Sequence, residues 1–320
     1  MSIFVTFFTR AVRLSSTFLF GATGETITEK AGHLNLGIPG IMCVGAVGGC
    51  FGVSAYMGTV ADPYNANAFL VVLIPILTSI LFSSCMGMIY SFLTVSLRCN
   101  QNVTGLALTT FGVGFTNYFI NTLDTSRFNA ASGYFTQGIP FASALGDFGK
   151  MFFSYGIFVY LAIAIALICS YLLNRTRVGL HLRAVGENPA TADAAGISVS
   201  KYRYVTTCIG SAIAGLGGLS FIMDNMGGNW EYTIDAMGWL SIALVIFTMW
   251  KPNFAILGSI VFGGLYIAGS YIAASTEMKE IIKMLPYVVT IVVLVITSVL
   301  DSKENQPPAG LGLPYFREER

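Results

Sequence analysis

Nine apolar stretches, most of them close to twenty residues long, constrain this chain more than any other feature. About 20 residues of helix cross the hydrocarbon of a bilayer, and a helix satisfies its own backbone there without help from water. The stretches fall near 11–24, 38–57, 68–97, 103–121, 152–173, 204–223, 237–250, 255–274 and 284–300. The third is long enough to be broken near Pro75 or Ser83, while the first and seventh are short. Only 10% of the 320 residues are charged, against about 25% in a soluble domain. The fold class that follows is an all-α polytopic membrane protein with about nine transmembrane helices, in a range of roughly eight to ten. The membrane body is expected over 1–302 and a tail over 303–320.

Charge placement orients the spans. The polar island 174–203, read as RTRVGLHLRAVGENPATADAAGISVSKYR from Arg175 on, holds five of the seventeen Lys and Arg residues. Basic connectors stay on the cytoplasmic side. With the island inside, alternation places Arg98 to Asn102, Lys251 and the tail from Asp301 to Arg320 inside as well. The connectors 58–67 and 224–236 then lie outside and contain no Lys or Arg, and 275–283 offsets two lysines with two glutamates. Arg10 and Arg13 fall outside and are the exception. They also interrupt the N-terminal apolar run, which lacks a basic start, so that segment is expected to stay uncleaved, with 1–10 at the interface or continuing into the first span. The external connector 122–151 carries Phe128, Tyr134, Phe135, Phe141 and Phe148. It reads as a short interfacial or re-entrant piece, or as an aromatic belt.

The chemistry available is limited. No GxxxxGK[ST], HExxH or GxSxG motif occurs, so the chain does not bind ATP through a P-loop of its own. Asp62, Asp124, Asp147, Asp224, Glu231 and Asp235 fall in connectors or at span ends, and no paired intramembrane carboxylates are expected. This argues against a proton- or sodium-driven carrier and against an intramembrane enzyme. Cys43, Cys50, Cys85, Cys99, Cys169 and Cys208 lie in apolar runs without CxxC spacing and read as buried free thiols. His33 and His181 are far apart, and no metal site is suggested.

What remains inside the membrane is neutral and polar. Thr110, Gly114, Asn117 and Asn121 follow at spacings of four, three and four and share one helical face. They suit either a pathway for an uncharged hydrogen-bonding solute or hydrogen bonds between helices. In Gly32-His33-Leu34-Asn35-Leu36-Gly37-Ile38-Pro39-Gly40, Pro39 suits a first helical turn. The irregular backbone before it, with Asn35, could offer free N–H groups to the same solute. Gly210, Ala214 and Gly218 form a close-packing face.

NLGIPGIMCVGAVGG and GLHLRAVGENPATADAAGI together resemble signatures of the permease subunits of bacterial ABC importers for branched-chain amino acids, ribose and nucleosides. VTTCIGSAIAGLGG and NQNVTGLALTTFG extend the resemblance over most of 20–270, and the nucleoside branch is the nearest. Pro39 stands where that branch usually has an acidic residue, and Ala236-Met237-Gly238 where it has Gly-Arg-Gly. The resemblance implies a nucleoside permease subunit in a bacterial cytoplasmic membrane, with sugars or branched-chain amino acids as alternative solutes. It implies a separate ATP-binding subunit carrying the ATP and Mg, a second homologous permease subunit, an external substrate-binding lipoprotein and surrounding lipid. No nucleic acid and no cofactor of its own are implied. Within the island, Arg183, Gly186, Glu187, Asn188, Pro189, Asp193 and Gly196 would couple to the ATPase. Arg183 and Glu187 would make rim contacts, and Ala190, Ala192, Ala194 and Ala195 would allow close packing. Asn35, Thr110, Asn117 and Asn121 would line the pathway. A stand-alone facilitator is the runner-up, and a membrane scaffold or enzyme is third.

Overall fold

A computed structural model describes residues 3–140, 145–272, 276–300 and 306–316. The regular structure among them is entirely helical: α1 (Ile3–Lys30), α2 (Ile38–Met57), α3 (Ala68–Ser91), α4 (Gln101–Ile120), α5 (Ser126–Phe135), α6 (Gly146–Phe153), α7 (Ile157–Arg175), α8 (Arg177–Glu187), α9 (Pro189–Ala194), α10 (Val199–Ser220), α11 (Ile234–Phe247), α12 (Pro252–Tyr271), α13 (Thr276–Lys283) and α14 (Leu285–Leu300). Two of these run on into single π-helical turns, Phe92–Ser96 after α3 and Phe221–Asn225 after α10.

Seven helices are long and apolar enough to cross a membrane: α1, α2, α3 with its π turn, α4, α7, α10 with its π turn, and α12. The other two expected spans correspond to shorter helices, α11 with 14 residues and α14 with 16. The first span, expected over 11–24, is in fact the 28-residue α1. The expected break near Pro75 or Ser83 is absent, since α3 runs unbroken past both and its irregular turn comes only at Phe92–Ser96.

The architecture centres on α2, which packs against α1, α3, α4, α10 and α11. Its sequence explains this. Bilayer hydrocarbon supplies no net hydrophobic drive between helices, so association depends on close van der Waals packing between small residues. Gly45 of α2 lies against the backbone of Gly215 on α10, and Gly40 lies against Gly112 on α4; a side chain at any of these would strike backbone or side-chain atoms. Gly210 of α10 meets Gly24 and Thr28 of α1, and Gly218 meets the carbonyl of Met42. The small-residue face of α10 is therefore a packing face, as its spacing suggests.

The connector 122–151 folds back on the bundle. Helix α5 contacts α2, α3 and the π turn after α10, burying Phe128 and Phe135 completely. Phe135 stacks on Phe158 with ring centroids 5.2 Å apart. Tyr134 Oη donates to the carbonyl of Pro63. Phe148 is exposed, and Phe141 lies outside the described residues. The α5 part of this connector is thus packed onto the bundle rather than standing off it.

The cysteines are free, but not all are buried as expected. Cys43, Cys50 and Cys169 are buried, Cys208 is half-buried, and Cys85 and Cys99 are exposed. The expected boundary at 302 lies outside the described residues.

Candidate coupling surface and transport face

The island folds into two short helices with a sharp joint. Thr176 caps α8 by accepting from the Gly179 N–H at 3.1 Å. Asn188 ends α8 and starts α9: its N–H donates to the Ala184 carbonyl at 3.0 Å, and its Oδ1 accepts from Thr191 N–H at 3.0 Å. Pro189 then occupies the first turn, where its missing N–H is no loss. Gly196, at φ +83°, closes α9, and the Ile197 N–H returns to the Ala192 carbonyl at 3.0 Å.

Burial divides the residues expected to contact a partner. Arg183, Glu187, Asn188, Ala190, Thr191, Ala194, Ala195 and Gly196 are exposed, and Pro189 and Asp193 are half-buried. Ala192 turns inward instead, forming a small core with Val185 and Val199; on this short helix one face has to hold α9 to the bundle. Gly186 is buried too, because the carbonyl of Lys30 at the end of α1 passes against it. Of the residues read as coupling groups, it is the one with no exposed surface to offer. Arg183 and Glu187 line a polar cavity of about 320 Å³ with Lys30, Asn174, Lys251 and Gln306.

Beside the island sits a buried polar network that the sequence reading missed. Glu25 and Glu29 on α1 are 0% and 2% exposed, and Glu25 Oε2 has no hydrogen-bond partner among the described residues. This corrects the expectation that no paired carboxylates occur within the spans. The stretch GETITEKAGH looks like a connector, yet the helix continues through it, and a spacing of four puts both carboxyls on one face. Glu25 Oε1 accepts from Asn35 N–H at 2.9 Å. Glu29 Oε2 accepts from the indole of Trp250, which a left-handed turn at Met249 and Trp250 aims toward it.

The lead-in 31–37 is likewise consumed internally. The His33 N–H donates to the Thr28 carbonyl, Leu34 N–H to Gln101 Oε1 and Gly37 N–H to Asn35 Oδ1. These N–H groups are therefore taken up by the chain's own carbonyl and side-chain oxygens, and Asn35 is fully buried, its Nδ2 without a partner among the described residues. His33 joins three elements: Nδ1 bonds Thr207 Oγ1 on α10 and Nε2 bonds Thr94 Oγ1 after α3, both at 2.8 Å. Burial, reinforced by the Arg203 charge, pushes its pKa down to about 3.

The stripe on α4 has the opposite character. Thr110, Gly114, Asn117 and Asn121 are all exposed on the surface of the chain. Thr110 Oγ1 donates only back to Leu106, and Asn121 Nδ2 to the Asn117 carbonyl on the same helix. A side chain added at Gly114 would meet nothing. So the stripe makes no hydrogen bond to another helix among the described residues. The structure brings three of the four pathway candidates onto one open face and keeps Asn35 apart from them.

At the other end of the bundle, Arg13 of α1 pairs with Asp224 in the π turn after α10, at 3.4 Å. The Asp224 side chain has no exposed surface and that of Arg13 has 35%. This pairing explains how Arg13 sits where the orientation rule disfavours a free positive charge.

A helical body with seven helices long and apolar enough to cross a membrane, and an ordered basic loop of two helices at one end, defines a polytopic membrane protein. The chain belongs to the family described as the permease component of the branched-chain amino acid transport system, whose profile matches residues 7–294. Its members are ABC transport permeases, membrane subunits without an ATPase site of their own. It is 32% identical to the nucleoside ABC transporter permease protein NupC of Lactococcus lactis subsp. cremoris over 88% of each chain. It is 28% identical to the guanosine ABC transporter permease protein NupQ of Bacillus subtilis, over 96% of this chain and 95% of that one. It is also 31% identical to the putative glucose ABC transporter permease protein TsgC13 of Haloferax volcanii, over 79% of this chain and 73% of that one. No solved structure matches.

Proposed function

We propose that this chain is the membrane-spanning subunit of an ATP-driven importer for nucleosides. The observation that carries the reading is the open neutral stripe Thr110, Gly114, Asn117 and Asn121, taken with relatives named as nucleoside and guanosine permeases. Amide side chains facing hydrocarbon are costly unless a polar partner or a water-filled path covers them. A second, homologous permease subunit meeting this face encloses such a path and leaves Asn117 and Asn121 free to hydrogen-bond a base or ribose. Flanking Phe111 and Tyr118, both exposed on α4, offer surfaces for stacking a base.

The island faces the cytoplasm in this reading, and the exposed side of α9 docks on a separate ATP-binding subunit. Ala190, Ala194 and Ala195 permit close approach, and Arg183 and Glu187 sit at the rim. The ATP and Mg belong to that subunit, and an external binding lipoprotein delivers the solute. The membrane is a bacterial cytoplasmic membrane, crossed nine times if α11 and α14 also span, with the C-terminal tail on the inner side. The shared location of the island, the lead-in 31–37, Arg98 and the tail at one end of the bundle supports this orientation.

A sugar is the second reading, favoured by the relative named as a putative glucose permease. Vesicles carrying the assembled transporter, offered labelled guanosine, uridine, glucose and leucine with ATP supplied, separate the two. Accumulation of nucleosides alone supports the proposal; accumulation of glucose without nucleosides replaces it with the second reading.

A further inference from the structure

The stretch 306–316 lies across the island end of the bundle and touches a series of connectors there. Ala309 N–H donates to Glu187 Oε2 at 3.2 Å, and Gly310 N–H to the Gly186 carbonyl at 2.9 Å, both at the end of α8. Gly312 N–H donates to the Gly32 carbonyl at 3.3 Å, between α1 and α2. The Leu313 carbonyl accepts from buried Arg203 on α10 at 3.1 Å. Tyr315 Oη donates to Asp193 Oδ2 on α9 at 2.8 Å. Phe316 lies beneath the Arg98 guanidinium, 4.9 Å from it, between α3 and α4.

At the centre of these contacts three backbones meet at glycines. A Cβ on Gly32, which sits at φ +76°, would lie 3.2 Å from Gly186 Cα and 3.2 Å from the Gly310 carbonyl oxygen. A Cβ on Gly310 would lie 2.7 Å from the Gly186 carbonyl oxygen. Side chains at any of the three would push the segments apart, so the approach depends on glycine.

This geometry matters because α8 and α9 are otherwise lightly held. Beyond each other, they pack mainly on the end of α7 and the starts and ends of α1 and α10. We propose that residues 306–316 form a strap that fastens the island to α1, α2 and α10. Motion imposed on α9 is then delivered to the spans instead of being absorbed in the joint at Asn188. Gly310, Tyr315 and the main chain at Leu313 act as positioning groups; they touch neither solute nor nucleotide. The inference rests on the reading of the island as the coupling loop.

The test uses the complete transporter in vesicles, comparing the parent with Tyr315→Phe and Gly310→Val. Tyr315→Phe removes the hydroxyl that donates to Asp193 and keeps the ring, while Gly310→Val drives the strap off Gly186. Three quantities are read: ATPase subunit retained on purification, ATP hydrolysed, and solute delivered per ATP. The strap predicts that the ATPase subunit stays bound and hydrolysis continues. Solute per ATP falls roughly five- to tenfold in Gly310→Val, the low end of couplings measured between sites, and less in Tyr315→Phe. Unchanged solute per ATP in Gly310→Val overturns the strap, as does a parallel fall in hydrolysis and delivery with their ratio constant, which marks a purely structural contact. The island variant Arg183→Glu/Glu187→Lys separates the two levels of the argument. If it abolishes coupling while Gly310→Val does not, only the strap is wrong; if neither changes coupling, the reading of the island fails first.

Discussion

Breaking the ion pair between Arg13 and Asp224 tests whether α1 is held to the π turn after α10 by charge. Unit charges 3.4 Å apart attract by about 5 kcal/mol at an effective dielectric of about 20. The Arg13 side chain keeps 35% of its surface exposed, so solvent screening reduces the useful part to roughly 2–3 kcal/mol. Asp224 has no hydrogen-bond donor on either carboxylate oxygen among the described residues. Arg13→Gln therefore strands a buried carboxylate and is expected to destabilise the protein by roughly 2–3 kcal/mol. Asp224→Asn leaves a half-hydrated guanidinium and costs about 1 kcal/mol. The double variant is expected to lie close to Asp224→Asn, because the stranded charge is gone. Unfolding titrated with SDS in mixed micelles gives all three values, and the cycle gives the coupling between the residues. Strictly additive losses, or three variants within about 0.5 kcal/mol of the parent, would show that the pair does not hold the helices together.

Three further outcomes follow from the geometry. Asn117→Leu is expected to slow uptake roughly threefold to tenfold, the scale of one lost hydrogen bond, with thermal stability unchanged; loss of subunit assembly instead would assign the stripe to packing. Glu29→Gln keeps an acceptor for the Trp250 indole, so it should assemble normally. Glu29→Leu orphans the indole and should lose roughly 1–3 kcal/mol; equal behaviour of the two in an unfolding titration would contradict the shared hydrogen bond. His33 binds its proton near pH 3 when folded and near 6.5 when unfolded. Between those values the unfolded chain holds more protons, so this stability is complete above about pH 6.5 and declines by about 1.4 kcal/mol per unit as pH falls toward 3. His33→Gln should flatten that decline, and unfolding midpoints measured from pH 7 to 5 check it.

The sequence reading and the structure agree where a single periodic signal decides the outcome. Apolar runs of about twenty residues locate the long spans, and small residues four apart on α10 locate a packing face. Asn188-Pro189 marks the island joint because a capping amide and a proline act locally. Agreement fails where tertiary contacts change what a residue means. Glu25 and Glu29 look like connector residues until α1 continues through them and Trp250, over two hundred residues away, supplies a donor. Arg13 looks misplaced until Asp224 is set against it. Asn35 looks open to solute until Glu25 takes up its N–H and its own side chain folds back to Gly37. The stripe on α4 was legible as a face, but whether that face pointed inward or outward was not, since periodicity carries no information about which neighbours are present. The tail gave no signal, because its partners, the carbonyls of Gly186 and Gly32 and the side chains of Glu187, Asp193, Arg98 and Arg203, are far away in sequence.

The most direct test of the central claim is labelled-nucleoside uptake into vesicles holding the complete transporter, with and without ATP at the island face. The account predicts accumulation that requires ATP and is lost in Arg183→Glu/Glu187→Lys while the subunits remain membrane-inserted. Nucleoside flux through this chain alone, without ATP or an ATP-binding subunit, would contradict it.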